Sequence, residues 1–115
     1  MPCSVQGAGH DADAAIGAIP EQFFIDAARG SNLAGADAIF LACTGTRALN
    51  VIETIESYTR LPVVTSNQAA FWHALRLAGW SSPIDGFGRL LREIGPAAPL
   101  RSCREIPTFR GRPPR

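Results

Sequence analysis

No lysine occurs in the 115 residues; all eleven basic side chains are arginine. We read that usage as codon bias rather than as chemistry. Set against ten acidic residues, the arginines leave a formal net charge of +1, which argues against a dedicated nucleic-acid binder. No apolar run approaches the roughly 20 residues that a membrane helix needs, so no membrane partner is expected. The N-terminus, with Gly7, Gly9, His10 and Asp11, lacks the basic-then-apolar build of a signal peptide, and a cytoplasmic location is expected. Cysteine is also scarce. Cys3, Cys43 and Cys103 are odd in number and widely spaced, with no CxxC pair and no nearby histidine, which disfavours both a disulfide framework and a zinc site.

What is present suits one globular domain, since 46% of the residues are hydrophobic. The ends differ from the middle. Residues 1–18 are rich in glycine and alanine and read as a loose segment. Residues 95–115 carry Arg101, Arg104, Arg110, Arg112 and Arg115 against Glu105, with five of the nine prolines, and read as a disordered tail. A nucleic-acid role for that tail has only Phe109 for stacking and no helical pattern to present the arginines.

Residues 19–94 alternate helix and strand. Pro20 suits a helix N1 position, and Phe23, Phe24, Ala27 and Ala28 form an apolar stripe that Gly30 stops. Ala38–Ala42 reads as a buried strand. Residues 46–59 place Leu49, Ile52, Ile55 and Tyr58 at helical spacing, with Glu53, Glu56 and Thr59 outward. Leu61, Pro62, Val63 and Val64 form a second short strand. Thr65 and Gln68 then have capping-box spacing before a helix through Ala70, Phe71, Ala74, Leu75 and Ala78 that ends at Gly79. Two strands joined through a helix make a parallel βαβ unit. The expected fold class is therefore α/β, a Rossmann-like half-unit with a short parallel sheet flanked by helices. So small a parallel sheet leaves its edges uncovered, and a second subunit or a larger domain is expected to cover them.

Cys43 is the residue of most chemical interest. It follows the apolar strand and precedes Thr44, Gly45 and Thr46, after which the helical pattern begins. The first turn of a helix carries unpaired N–H groups and about half a positive charge, so it can hold an anion and lower a thiol pKa. Such a segment could bind a carboxylate through the N–H groups of Thr44 and Gly45 and the hydroxyl of Thr44 or Thr46, while Cys43 moves a proton. Free cysteine is also an ordinary small core residue, Asn67 and Gln68 are also ordinary caps, and Cys3 and Cys103 read as inert.

Three blocks extend this reading: Ala36 to Leu49 around Cys43, Pro62 to Ala69 around Ser66, Asn67 and Gln68, and Trp72 to Gly79. In order and spacing they resemble the C-terminal lobe of the aspartate/glutamate racemase superfamily, in its maleate isomerase and arylmalonate decarboxylase branch. Pro83 to Leu91 resembles the segment that closes those proteins. The resemblance implies one lobe of a two-lobed pseudo-symmetric fold, with the substrate between the lobes. It further implies a cofactor-independent, metal-free, cysteine-based isomerase, racemase or decarboxylase. On this reading Cys43 is proton donor or acceptor at carbon, Thr44, Gly45, Thr46 and Asn67 bind a small carboxylic or dicarboxylic acid, and a missing first lobe or a second subunit completes the pocket. Cys43-Thr44 and Ser66-Asn67-Gln68 lean toward maleate isomerase and its racemase relatives, because decarboxylase-type members tend to have glycine after this cysteine. The alternative is a truncated or degenerate lobe that folds or dimerises without turnover. A phosphatase-type phosphate loop is disfavoured, because the arginine it needs six residues after the cysteine is Leu49.

Overall fold

Apolar spacing and glycine positions set where each element begins and stops, and the computed structural model describes residues 4–93. The expectations for the tail at 95–115, for Cys3 and for Cys103 lie outside the described residues. In chain order the elements are α1 (Asp13–Gly17), α2 (Glu21–Gly30), β1 (Ile39–Leu41), a 3-10 turn (Ala48–Val51), α3 (Ile52–Thr59), β2 (Val63–Thr65), α4 (Ser66–Leu77) and α5 (Arg89–Arg92).

The two strands pair in parallel, with Ile39 opposite Val63 and Leu41 opposite Thr65, as the βαβ pattern requires. On one side, Ile19, Phe24, Ala28, Ala48, Val51, Ile52, Ile55 and Val63 form the core, and Ile16, Ile25, Ile39 and Leu41 pack against it. The 3.6-residue period explains the choice: Ile52 and Ile55 are fully buried on one face of α3, while Leu49 and Tyr58 lie at its margin. Tyr58 instead hangs its ring under the Arg29 guanidinium and donates its hydroxyl to the Ile25 carbonyl at 2.9 Å. Its burial raises the phenol pKa above the ordinary value.

Several local expectations change. Pro20 is the N-cap of α2 rather than its first helical residue, with ψ at 149°. A proline there satisfies the same constraint, because its missing N–H would have had no helical partner. The glycine- and alanine-rich opening contains α1, whose Ile16 packs against the core. The strand expected over 38–42 shortens to three residues and is only half covered, with Phe40 62% exposed. Its other edge has no strand beside it among the described residues. Glu56, expected to face outward, is buried. Its carboxylate accepts the N–H of Val63 at 2.9 Å and that of Arg89 at 3.0 Å, so it ties α3 to the start of both β2 and α5.

The second half of the unit follows its sequence signals closely. Thr65 caps α4 by accepting the Gln68 N–H at 3.1 Å, and the Gln68 side chain returns to the Thr65 N–H at 3.1 Å. Such a box contributes about 1 kcal/mol. At the other end Gly79 adopts φ +75°, and the N–H groups of Gly79 and Trp80 bond the carbonyls of Arg76 and Leu75. That is a Schellman stop, and a glycine suits its left-handed position. The apolar side of α4 nevertheless faces outward: Ala70, Phe71, Ala74, Leu77 and Ala78 are exposed, Phe71 by 52% and Leu77 by 56%.

Candidate functional site

The parallel register brings the ends of β1 and β2 side by side, since Leu41 pairs with Thr65. The residues that follow each strand, Cys43 and Thr44 on one side and Ser66 and Asn67 on the other, are therefore neighbours. Ser66 Oγ accepts the Cys43 N–H at 3.1 Å, and Asn67 Nδ2 donates to the Thr44 carbonyl at 3.0 Å. The Thr46 hydroxyl donates to the Cys43 carbonyl at 3.1 Å. Three side chains thus hold three consecutive peptide units, one each.

Those bonds surround an unusual backbone. Cys43 has φ +91°, and Arg60 is the only other non-glycine residue with positive φ among the described residues. A left-handed non-glycine residue costs on the order of 1 kcal/mol or more. Hydrogen bonds contributing about 1 kcal/mol each can offset that. At Gly45 a β-carbon would meet only ordinary van der Waals contacts, 3.5 Å from Ile16 Cγ2 and 3.9 Å from Cys43 Sγ.

The helix relationship differs from the expected one. The segment expected to start a helix at residue 46 forms a turn, then the 3-10 turn from Ala48, and α3 begins only at Ile52. Helix-end charge falls off within the first turn, so α3 does not sit directly beneath the thiol. The helix start that meets Cys43 is that of α4, through Ser66. In the sequence Ser66 stands only within the family-like block Pro62 to Ala69, with no role of its own. Its signal was the strand alignment, because a serine directly after the second strand must face the residues directly after the first.

Of the expected site residues, Cys43, Thr44, Gly45 and Asn67 are exposed and Thr46 is half-buried. The N–H groups of Thr44 and Gly45 have no hydrogen-bond partner among the described residues, so both are available to an anion. The Thr46 hydroxyl and the Asn67 amide, in contrast, are engaged within the loop. Gln68 serves the capping box and donates its Nε2 to the Phe87 carbonyl.

An open groove of about 830 Å³ runs along α2 and β1, with residues 4–10 on its wall and Cys43 and Thr46 at its margin. Phe23, Phe24, Leu33 and Phe40 make much of its lining apolar. Thr44, Gly45 and Asn67 do not line it. A second cleft, of about 480 Å³, shares no residue with the groove and is charged, with Glu53, Arg60, Arg89, Arg92 and Glu93 around it. There the Arg89 guanidinium bonds Glu93 at 2.9 Å and holds that carboxyl below the ordinary glutamate range. Among the described residues no group of three or more His, Cys, Asp or Glu side chains could hold a metal ion. No helix of the described residues is long and apolar enough to cross a membrane.

Residues 6–91 match the arylmalonate decarboxylase family. An arylmalonate decarboxylase of Bordetella bronchiseptica is 42% identical over 59 residues, covering 50% of this chain and 25% of that enzyme. A crystal structure of arylmalonate decarboxylase superposes with a TM-score of 0.63 at 33% identity, covering 74% of this chain and 39% of that one. An unliganded arylmalonate decarboxylase structure gives a TM-score of 0.64 at 32% identity, covering 76% and 40%. The chain therefore spans well under half the length of the relatives it matches.

Proposed function

This chain belongs to the arylmalonate decarboxylase family, and from that premise we propose that it is the Cys43-bearing lobe of a cysteine-dependent enzyme acting on small carboxylic acids. A first lobe, supplied by the same longer polypeptide or by another chain, completes the pocket. The observation that carries the reading is the loop itself: an exposed thiol on a constrained backbone, followed by two unpaired N–H groups at Thr44 and Gly45.

The chemistry is decarboxylation of a malonate-type acid. The bond from the α-carbon to one carboxylate breaks, carbon dioxide leaves, and the electron pair remains as an enediolate. The Cys43 S–H then gives its proton to the α-carbon, and the resulting thiolate is reprotonated from solvent. The N–H groups of Thr44 and Gly45 face the retained carboxylate, whose charge grows in the enediolate. A donor aimed at developing charge is worth about 3 kcal/mol of barrier. Thr46 and Asn67 act through the loop they hold.

One feature favours a second reading. Thr44 stands where decarboxylase-type members tend to have glycine, which points to isomerisation or racemisation by the same proton transfer at carbon. The short coverage of the relatives keeps a third outcome, a lobe without turnover.

The test mixes the full chain with the remaining portion of the Bordetella bronchiseptica relative as a separate chain. Carbon dioxide release from aryl- and alkylmalonates, loss of maleate, and solvent-deuterium uptake at the α-carbon of aspartate or glutamate are followed together. Decarboxylation that Cys43→Ser abolishes is the expected result. Maleate loss or deuterium uptake alone selects the second reading, and no turnover in any assay selects the third.

A further inference from the structure

We propose that Ser66 and Asn67, at the start of α4, are positioning residues that hold Cys43 in its left-handed conformation and so aim its thiol; this rests on the proton-donor role given to Cys43 above. Neither residue need touch substrate. Each acts on a different peptide unit of the loop: Ser66 Oγ accepts the Cys43 N–H, and Asn67 Nδ2 donates to the Thr44 carbonyl.

Three observations make the assignment. The first is that Cys43, a residue with a β-carbon, sits at φ +91°, which it would leave if unrestrained. Second, β1 and α3 do not provide the restraint, because no backbone–backbone bond outside regular elements involves Cys43 or Thr44. The restraint comes from side chains, namely Ser66, Asn67 and Thr46. The third is that α4 is itself anchored, by its capping box and by Gln68 reaching Phe87. Ser66 and Asn67 thus transmit a fixed helix end to the cysteine loop. Their bonds also engage the Cys43 N–H and the Thr44 carbonyl, while the N–H groups of Thr44 and Gly45 have no partner among the described residues.

The experiment compares wild type, Ser66→Ala, Asn67→Asp, the double variant and Ser66→Thr. Asn67→Asp keeps the shape and removes the donor, and Ser66→Thr keeps the hydroxyl. Scalar couplings that report φ at Cys43 are measured by NMR in the full 115-residue chain, and kcat and KM are measured in the complemented assembly. The expected result is that Cys43 leaves positive φ in the double variant. With it, kcat falls on the order of tenfold to a hundredfold at a KM changed less than about twofold, and Ser66→Thr behaves as wild type. Positive φ retained in the double variant, or kcat unchanged, overturns the proposal. If Ser66→Ala and the double variant do not fold, Asn67→Asp decides by the same two readings. If the wild-type assembly is inactive, the proposed function fails on its own, and the couplings alone decide whether Ser66 and Asn67 hold Cys43.

Discussion

The carboxylate of Glu56 accepts the backbone N–H of Val63 at 2.9 Å, joining the last turn of α3 to the first residue of β2. The same group takes the Arg89 N–H at 3.0 Å, so one buried side chain fixes the spacing between the helix that follows the cysteine loop and the strand that leads into Ser66. Glu56→Ala should cost about 3 kcal/mol, because it leaves buried donors without partners. Glu56→Gln, which retains an acceptor oxygen, should cost about 1 kcal/mol. Urea denaturation of both variants checks the order and the size of the effects.

Gly88 permits the close approach that this carboxylate needs. It has φ +78°, and a β-carbon there would stand 2.3 Å from Ile52 Cγ2 and 3.1 Å from Glu56 Oε1. Gly88→Ala combines a forced contact with an unfavourable backbone and should destabilise by more than about 2 kcal/mol. Thermal melting measures it, and retained wild-type stability would contradict the packing described.

Cys43 offers the opposite case. Cys43→Gly removes the β-carbon that makes φ +91° costly, and should leave stability unchanged or raise it by about 1 kcal/mol after the extra entropy of an unfolded glycine is counted. Cys43→Ser keeps the β-carbon and should change stability by less than about 0.5 kcal/mol. Stability gained on removal of the thiol would mark a residue retained for chemistry at the expense of the fold. A clear loss in the glycine variant would show that the backbone is not strained there.

The Arg89–Glu93 pair sets a pH dependence at the end of the described chain. The Arg89 hydrogen bond, with further help from Arg92, lowers the Glu93 pKa in the folded state. A carboxyl depressed by folding stabilises above its ordinary range and loses that contribution as pH falls through the lowered value. A carbon-detected titration of Glu93 should therefore show a midpoint below that of an unperturbed glutamate. Arg89→Ala should return it upward, and an unmoved midpoint would dissolve the pair.

Local rules determined much of this protein from its sequence. Thr65 and Gln68 form the expected capping box and Gly79 the expected stop, because both depend on contacts within a few residues. The parallel pairing was legible for a related reason: two short apolar strands separated by one helix have a single common arrangement. The family was legible too, in ordered blocks around Cys43, Asn67 and Trp72. Tertiary structure alone decided the rest. Helical period placed Glu56 on the outer face, yet the chain's return through Val63 and Arg89 supplies buried donors that draw its carboxylate inward. Hydrophobicity placed Phe40 inside, yet strand alternation turns it to the face opposite Ile39 and Leu41, where among the described residues it stays 62% exposed. Sequence order set Cys43 on the helix that follows it, whereas strand register set it against the helix two elements later, at Ser66. Contacts between residues 23 positions apart have no local signature, and the backbone of Cys43 is decided by them.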